Sequence, residues 1–283
     1  MTRSVLDRRA LFSSAAAAAL LAATGVSAAT PTRGGRLRMA LSGASRADTW
    51  LQGDGLFMQV ARQGLSFDTL TEVAADGTLR GELATDWASS SDAREWLFDL
   101  RQGVTFHDGK PFTAKDVVAS AAGFSEGKVQ ATGDFQVLFK LDHADPRLPM
   151  RLAQPEYFVR SAHAPTSGVG TGLYRVASFT PGQRLLSTRV ADHYKGKSAG
   201  WFDEVELTSI PSERVRGQAL GEYLVDAVDL TVAGVLTDLP DIALQPDRRQ
   251  PTQAVLSDVM QPANVSHLRP LDNLRAAERW WFA

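Results

Sequence analysis

The sequence contains no cysteine, and this absence excludes several kinds of protein. Without thiols there is no disulfide framework, no thiolate nucleophile, no cysteine-ligated metal and no lipid-modified cysteine. Stability must come from burial of a hydrophobic core, for which 283 residues with 44% hydrophobic content are sufficient. The composition therefore predicts a globular protein.

Sequence motifs of catalysis are also missing. There is no Gly-x-Ser-x-Gly nucleophile elbow, no His-Glu-x-x-His helix and no phosphate-binding Gly-Lys-Ser/Thr loop. The five histidines lack metal-ligand spacing. Three acidic residues stand beside a histidine, in His107-Asp108, Asp142-His143 and Asp192-His193. Adjacent residues of a strand point to opposite faces, and Asp-Gly favours turns, so we interpret these pairs as turn formers. We predict no catalytic residue, no cofactor and no metal, and hence no enzyme.

Charge of one sign is not concentrated anywhere. Lysine and arginine number 30 against 32 acidic residues, which gives a formal net charge of −2. Because no basic stripe is present, we predict no nucleic-acid partner.

Residues 1–28 have the layout of a signal peptide. The paired Arg8 and Arg9 precede the uncharged run Ala15–Ala23, and Val26-Ser27-Ala28 fits a small-residue cleavage site. A membrane span needs about 20 apolar residues, so we expect export with cleavage near Ala28 rather than an anchor. The arginine pair resembles a twin-arginine signal, which would export a folded protein.

Hydrophobic spacing predicts a mixture of strands and helices, which favours an α/β (mixed α+β) fold with a mixed sheet. We expect strands at Leu37–Leu41, Trp96–Leu100, Phe135–Leu141 and Val205–Leu207, hairpins about Asp76-Gly77 and Pro181-Gly182, short helices at Leu56–Ala61 and Pro146–Ala153, and helices capped by Thr113 and by Ser212, the latter running to Leu224.

The last part of the chain has weaker signals. We expect residues 239–267 to be loop with one short helix or strand near Val255–Met260. The aromatic ending Trp280-Trp281-Phe282 predicts a tail docked as a strand, because these side chains would bury a large area.

Three groups of segments resemble the peptide/nickel family of extracytoplasmic solute-binding proteins, family 5. They are Leu83–Trp87 with Trp96–Val118; Gly170–Val176 with Pro181-Gly182 and Tyr194-Lys195-Gly196; and Phe202–Val205 with Arg216, Ala219-Leu220 and Val225–Asp229. The resemblance covers about residues 34–230 and implies a lobe of the periplasmic binding protein type. Leu173 stands where the family usually has proline.

Family members are about twice as long, and the resemblance implies that their second lobe follows the segment near Asp226. We therefore expect a solute-binding lobe at 29–235, a shortened loop-rich remnant of the second lobe at 236–270, and a segment at 271–283 that returns to the first lobe. High-affinity sites bury most of a small ligand, so one lobe alone predicts weak binding.

The resemblance also suggests ligand contacts. Trp50 lies past the first strand, where the family chain enters the cleft, and Thr171 and Tyr174 belong to the glycine-rich turn that faces the same region. The alternative for Trp50 is a packing role in the core.

The function implied is that of a periplasmic substrate-binding component of an ABC importer for peptides or peptide-like solutes. Its partners would be the solute and the permease subunits in the inner membrane, without a lipid anchor. A non-transporting interaction or sensor protein is the alternative, and a homodimer that replaces the absent half is left open.

Overall fold

The structure is a computed structural model that describes residues 33–73, 78–196, 199–230, 242–245 and 252–256. In chain order the elements are β1 (Arg36–Leu41), α1 (Leu56–Gln59), a π-helix (Val60–Ser66), β2 (Thr71–Val73), β3 (Leu79–Gly81), β4 (Ala84–Ser89), β5 (Glu95–Leu100), α2 (Ala114–Ser120), β6 (Gly127–Gly133), β7 (Gln136–Leu141), α3 (Leu148–Arg151), β8 (Tyr174–Thr180), β9 (Arg184–Arg189), β10 (Glu204–Ser209), α4 (Glu213–Gly221), β11 (Ala227–Leu230), β12 (Ile242–Gln245) and β13 (Thr252–Leu256).

A mixed sheet of seven strands forms the first unit, in the order β12-β13-β11-β1-β10-β9-β8. The central strand β1 pairs in parallel with both β10 and β11, and the outer pairs are antiparallel. Leu37, Met39 and Leu41 of β1 are fully buried in one core cluster, whereas Ala40 packs with α4 in another cluster on the other face. The alternation of β1 therefore covers two cores at once.

A second, antiparallel sheet of four strands has the order β4-β5-β7-β6. Trp96, Phe98 and Leu100 alternate along β5 and are buried against α2 and α3 in a second core cluster. The capping box at the start of α2 is present, because the Thr113 backbone N–H donates to the Asp116 carboxylate at 2.9 Å. This unit comprises the chain between the two halves of the first unit.

The mixed α+β prediction is confirmed, as are most of the expected elements. β2 pairs with β3 and β8 with β9, so both predicted hairpins are present, although residues 74–77 of the first turn lie outside the described part. Ser212 caps α4 by accepting a hydrogen bond from the Val215 N–H. That helix ends at Gly221 and not at Leu224, because Tyr223 has a φ of 58° and cannot continue it.

The structure differs from the expected elements in three places. The helix expected to end at Ala61 continues as a π-helix to Ser66, and strands β4 and β6 were not predicted. β6 is almost entirely exposed, so no alternating hydrophobic pattern marks it. Near the end of the chain there are two paired strands, β12 and β13, where we expected loop and one short element. The signal peptide with Arg8 and Arg9, and the aromatic ending, lie outside the described residues.

Candidate ligand-binding edge

The carboxyl ends of β10, β1 and β11 lie at one edge of the large sheet, because the three strands are parallel. In open α/β sheets, ligands bind outside this edge where neighbouring connections diverge. Here β1 leads into residues 42–55, which we call the edge loop, and β10 leads through α4 over to β11 on the other side of β1. The topology therefore makes this edge the first candidate for a binding site.

A buried ion pair holds the three strand ends together. Asp229 accepts hydrogen bonds from the Ser42 N–H at 2.9 Å and from the Ser42 hydroxyl at 2.6 Å. Arg216 of α4 lies 3.2 Å from the same carboxylate and donates to the carbonyls of Ile210 and Pro211. Since Arg216 and Asp229 are both buried, their charges compensate each other and fix the edge.

The edge loop is ordered by its own polar contacts. Asp48 accepts a hydrogen bond from the Ser45 N–H at 2.7 Å, and the Arg62 guanidinium donates to the Gly53 carbonyl at 2.8 Å and the Thr49 carbonyl at 2.9 Å. Burial lowers the pKa of Arg62, opposed by the charge of Asp48. These bonds preorganise backbone and exposed side chains at the sheet edge.

Two glycines allow the edge loop to pack closely. Gly43 has a φ of 79°, and a Cβ there would lie 2.9 Å from the Gly55 Cα. Gly182, in the turn between β8 and β9, has a φ of 73°, and its Cβ would lie 2.7 Å from the Arg46 nitrogen. Larger residues at either position would push the loop away.

Trp50, a predicted ligand contact, anchors the end of the loop. It is 9% exposed, and its ring centroid lies 5.0 Å from that of Phe179 and 5.9 Å from that of Phe67. A Cβ at Gly168 would approach the indole to 2.7 Å. The packing role that we considered is thus present, and contact with a ligand stays a prediction.

Thr171 and Tyr174 are also buried. The Thr171 hydroxyl donates to Asp68 at 3.1 Å, and the Tyr174 hydroxyl donates to the Phe202 carbonyl at 3.1 Å. Burial raises the pKa of Tyr174 above the usual range. Both side chains are buried and support the fold in this conformation, and their contact with a ligand stays a prediction.

A buried polar cluster that the sequence did not predict joins the segment after β9 to the β2–β3 hairpin. The Lys195 ammonium contacts Glu82 and lies 3.4 Å from Glu72 and 3.7 Å from Asp68. Burial alone would raise the pKa of Asp68, but the charge of Lys195 and the neighbouring His193 hold it well below the usual value. Tyr194-Lys195 was part of the family resemblance, but nothing in the sequence pairs it with residues more than a hundred positions away.

Two histidines hydrogen-bond to the backbone of the glycine-rich segment at residues 171–172. Nε2 of His107 donates to the Gly172 carbonyl and Nε2 of His193 donates to the Thr171 carbonyl, both at 2.8 Å. Beside them lies a polar cleft of about 390 Å³. His107 is therefore a structural residue of a turn, as predicted, but it also bonds to the glycine-rich segment at Gly172.

The described ranges contain neither a metal-binding cluster nor a membrane-spanning helix. No group of three or more histidine, aspartate or glutamate side chains there could hold a metal ion. No helix in these ranges is long and apolar enough to cross a bilayer.

These features define a binding module, in which a parallel sheet edge carries a preorganised loop. Residues 78–262 match the family described as bacterial extracellular solute-binding proteins, family 5 middle region, and the chain belongs to this family. Members of this family are extracellular solute-binding proteins.

Individual relatives agree with this assignment. The chain is 26% identical over 239 residues to the probable D,D-dipeptide-binding periplasmic protein DdpA of Escherichia coli K12, covering 72% of this chain and 46% of that protein. The structure of AgaA from A. tumefaciens R10 with agropinic acid has a TM-score of 0.67 and 28% identity, covering 75% of this chain and 48% of AgaA.

A regulator also contains a similar segment. The HTH-type transcriptional regulator SgrR of Salmonella typhi is 30% identical over 166 residues, covering 54% of this chain and 29% of SgrR. The chain spans less than half the length of these three relatives.

Proposed function

We propose that this protein binds a peptide or peptide-like solute for an ABC importer and that the edge loop forms one wall of the site. The observation that carries the proposal is the ordered loop at the carboxyl edge of β10, β1 and β11, pinned by Asp229 and by Arg62. A loop held in this way loses little entropy when a ligand binds to it. DdpA is named as a probable D,D-dipeptide-binding protein, and AgaA was solved in complex with agropinic acid. Both support a small polar organic solute.

The remaining parts of the proposal rest on the sequence. Residues 1–28, with Arg8 and Arg9, would direct export to the periplasm, and residues 29–235 would form the binding lobe. Because the described units offer only one wall at the edge, we expect binding in about the micromolar range or weaker. Trp50 would then act by holding the loop against Phe179, and only its small exposed part could reach a ligand.

The test is calorimetry on the purified exported chain with a mixture of di- to pentapeptides and, separately, with agropinic acid. Saturable binding to one of them is expected. The Gly43→Val variant should weaken that binding at least tenfold, roughly 1.4 kcal/mol, because its side chain would displace the loop from Gly55.

Gly123→Val is the matched control, because a Cβ at Gly123 meets no atom within 4 Å and its φ is ordinary. Its affinity should equal that of the wild type. Unchanged affinity in Gly43→Val, with the fold verified by circular dichroism, would show that the edge loop is not the site.

A sensor function is the second candidate, and the similarity to SgrR favours it, since a transcriptional regulator contains a related segment. The two candidates differ in their partners. Genes for permease and ATPase subunits beside the gene of this protein, together with ligand-dependent capture of the permease, would support transport, whereas ligand binding without permease capture would support the sensor.

A further inference from the structure

A separate cavity of about 290 Å³ opens in the antiparallel unit, and none of its lining residues belongs to the edge loop. We call it the Phe124 pocket. Its walls include Val117, Phe124, Phe139, Leu152, Tyr157 and Phe158.

The floor of the Phe124 pocket is part of a hydrophobic core. Phe139 and Leu152 belong to the buried cluster of this unit, and the Phe124 ring packs edge-on against Phe139 with centroids 5.6 Å apart. An apolar cavity of about 150 Å³ is large enough for benzene, so this pocket can accept a ring and a short chain. Filling it would remove apolar core surface from water, which favours an apolar ligand group.

Among the described residues that line the Phe124 pocket, the charged side chains are Glu126 and Glu156, and both are acidic. Glu126 is paired with Arg151 at 2.6 Å, and Arg151 lies 3.1 Å from Asp145 as well. The Glu156 carboxylate is exposed and has no hydrogen bond or ion pair within the described ranges. A carboxylate without a partner beside an apolar pocket complements a cation.

We propose that the Phe124 pocket binds a small amine with an apolar ring, whose ring enters between Phe124 and Leu152 and whose ammonium meets Glu156. The aromatic faces of Phe124 and Tyr157 would add a cation–π attraction to the same ammonium. Both the apolar walls and the carboxylate are needed, because an exposed ion pair alone contributes little. This site is independent of the edge loop and of the function proposed for it.

The experiment measures binding of three probes of similar shape to the purified full chain by calorimetry or ligand-observed NMR: phenethylamine, phenethyl alcohol and 3-phenylpropionate. Phenethylamine should bind with a dissociation constant of about 1 mM or tighter, the alcohol several-fold more weakly, and the carboxylate most weakly. Absence of saturation by phenethylamine below about 10 mM would overturn the proposal.

Variants separate the two parts of the site. Glu156→Gln should weaken phenethylamine at least fivefold and leave the alcohol unchanged, whereas Phe124→Ala should weaken both. Glu222→Gln, an exposed glutamate of the other unit, is the matched control and should change nothing. Thermal denaturation verifies that each variant is folded. Equal phenethylamine affinity in wild type and Glu156→Gln, or equal binding of the amine and the carboxylate, would contradict the proposal.

Discussion

At the scale of single residues, His107 shows what a sequence can and cannot predict. Its place before Asp108-Gly109 predicts a turn, and a turn is present. Its partners are distant in sequence, since Nε2 donates to the Gly172 carbonyl and Nδ1 accepts from the Gly170 N–H at 3.4 Å. Protonation would place a hydrogen on Nδ1, and two N–H donors would then face each other. The neutral ring therefore fits this site.

We therefore expect stability to fall as the pH is lowered through the titration of His107. Burial lowers the pKa of His107 from 6.5, with a smaller opposing contribution from its bond to Gly172. Below pH 6.5 the His107 ring binds a proton in the unfolded chain but stays neutral in the folded one. The stability that the neutral ring contributes is therefore complete above pH 6.5 and is lost as the pH falls toward the pKa of the folded state. Urea denaturation at a series of pH values between neutral and mildly acidic would measure this slope.

A variant isolates the contribution of this ring. His107→Gln keeps a donor that can reach the Gly172 carbonyl but does not titrate, so its stability should depend less on pH in this window. His143→Gln, at an exposed histidine, should retain the slope of the wild type. A slope in His107→Gln equal to that of the wild type would show that another group causes it.

At the scale of elements, prediction succeeded where a strand or helix has one buried face. The alternation of Trp96, Phe98 and Leu100 identified β5, and Thr113 with Asp116 identified the start of α2. It failed for β6, whose side chains are mostly exposed and which exists because β7 pairs with it. The position of such a strand is determined by pairing with its neighbour, and its sequence carries no periodic hydrophobic pattern.

The turn between β8 and β9 gives a prediction for one element. Gly182→Ala should destabilise the protein by about 1–3 kcal/mol, because alanine disfavours the φ of 73° and its Cβ would meet the backbone of Arg46. Gly133→Ala is the control, since the nearest atom to its Cβ is the Gln136 Cβ at 4.0 Å. Urea denaturation of both variants checks the difference. Equal stabilities would mean that the edge loop does not rest on this turn.

At the scale of the whole molecule, the chain builds two units with separate cores, and the large sheet has a further cluster on its α4 face. The core of the first unit contains residues from Leu37 to Phe67 and again from Leu173 to Ala227, and the core of the second contains residues between Leu70 and Val159. The division of residues 29–235 into separate cores was not predicted, because hydrophobic patterns do not show which faces share a core. The cluster around Lys195 was not predicted either, since its carboxylates are more than a hundred positions away in the sequence.

The contact between the segment after β9 and the β2–β3 hairpin should depend on Lys195. Replacing it by methionine would leave Asp68, Glu72 and Glu82 buried near one another without the ammonium that compensates them. Loss of one partner from a buried ionic cluster typically costs about 3–5 kcal/mol, so Lys195→Met should lower the free energy of unfolding by this amount. Lys140→Met is the control, because Lys140 and Glu95 form a surface pair at 3.2 Å whose loss should cost less than about 1 kcal/mol. Tryptophan fluorescence in urea would measure both. A loss in Lys195→Met no larger than that in Lys140→Met would show that the carboxylates find other compensation and that Lys195 does not hold these segments together.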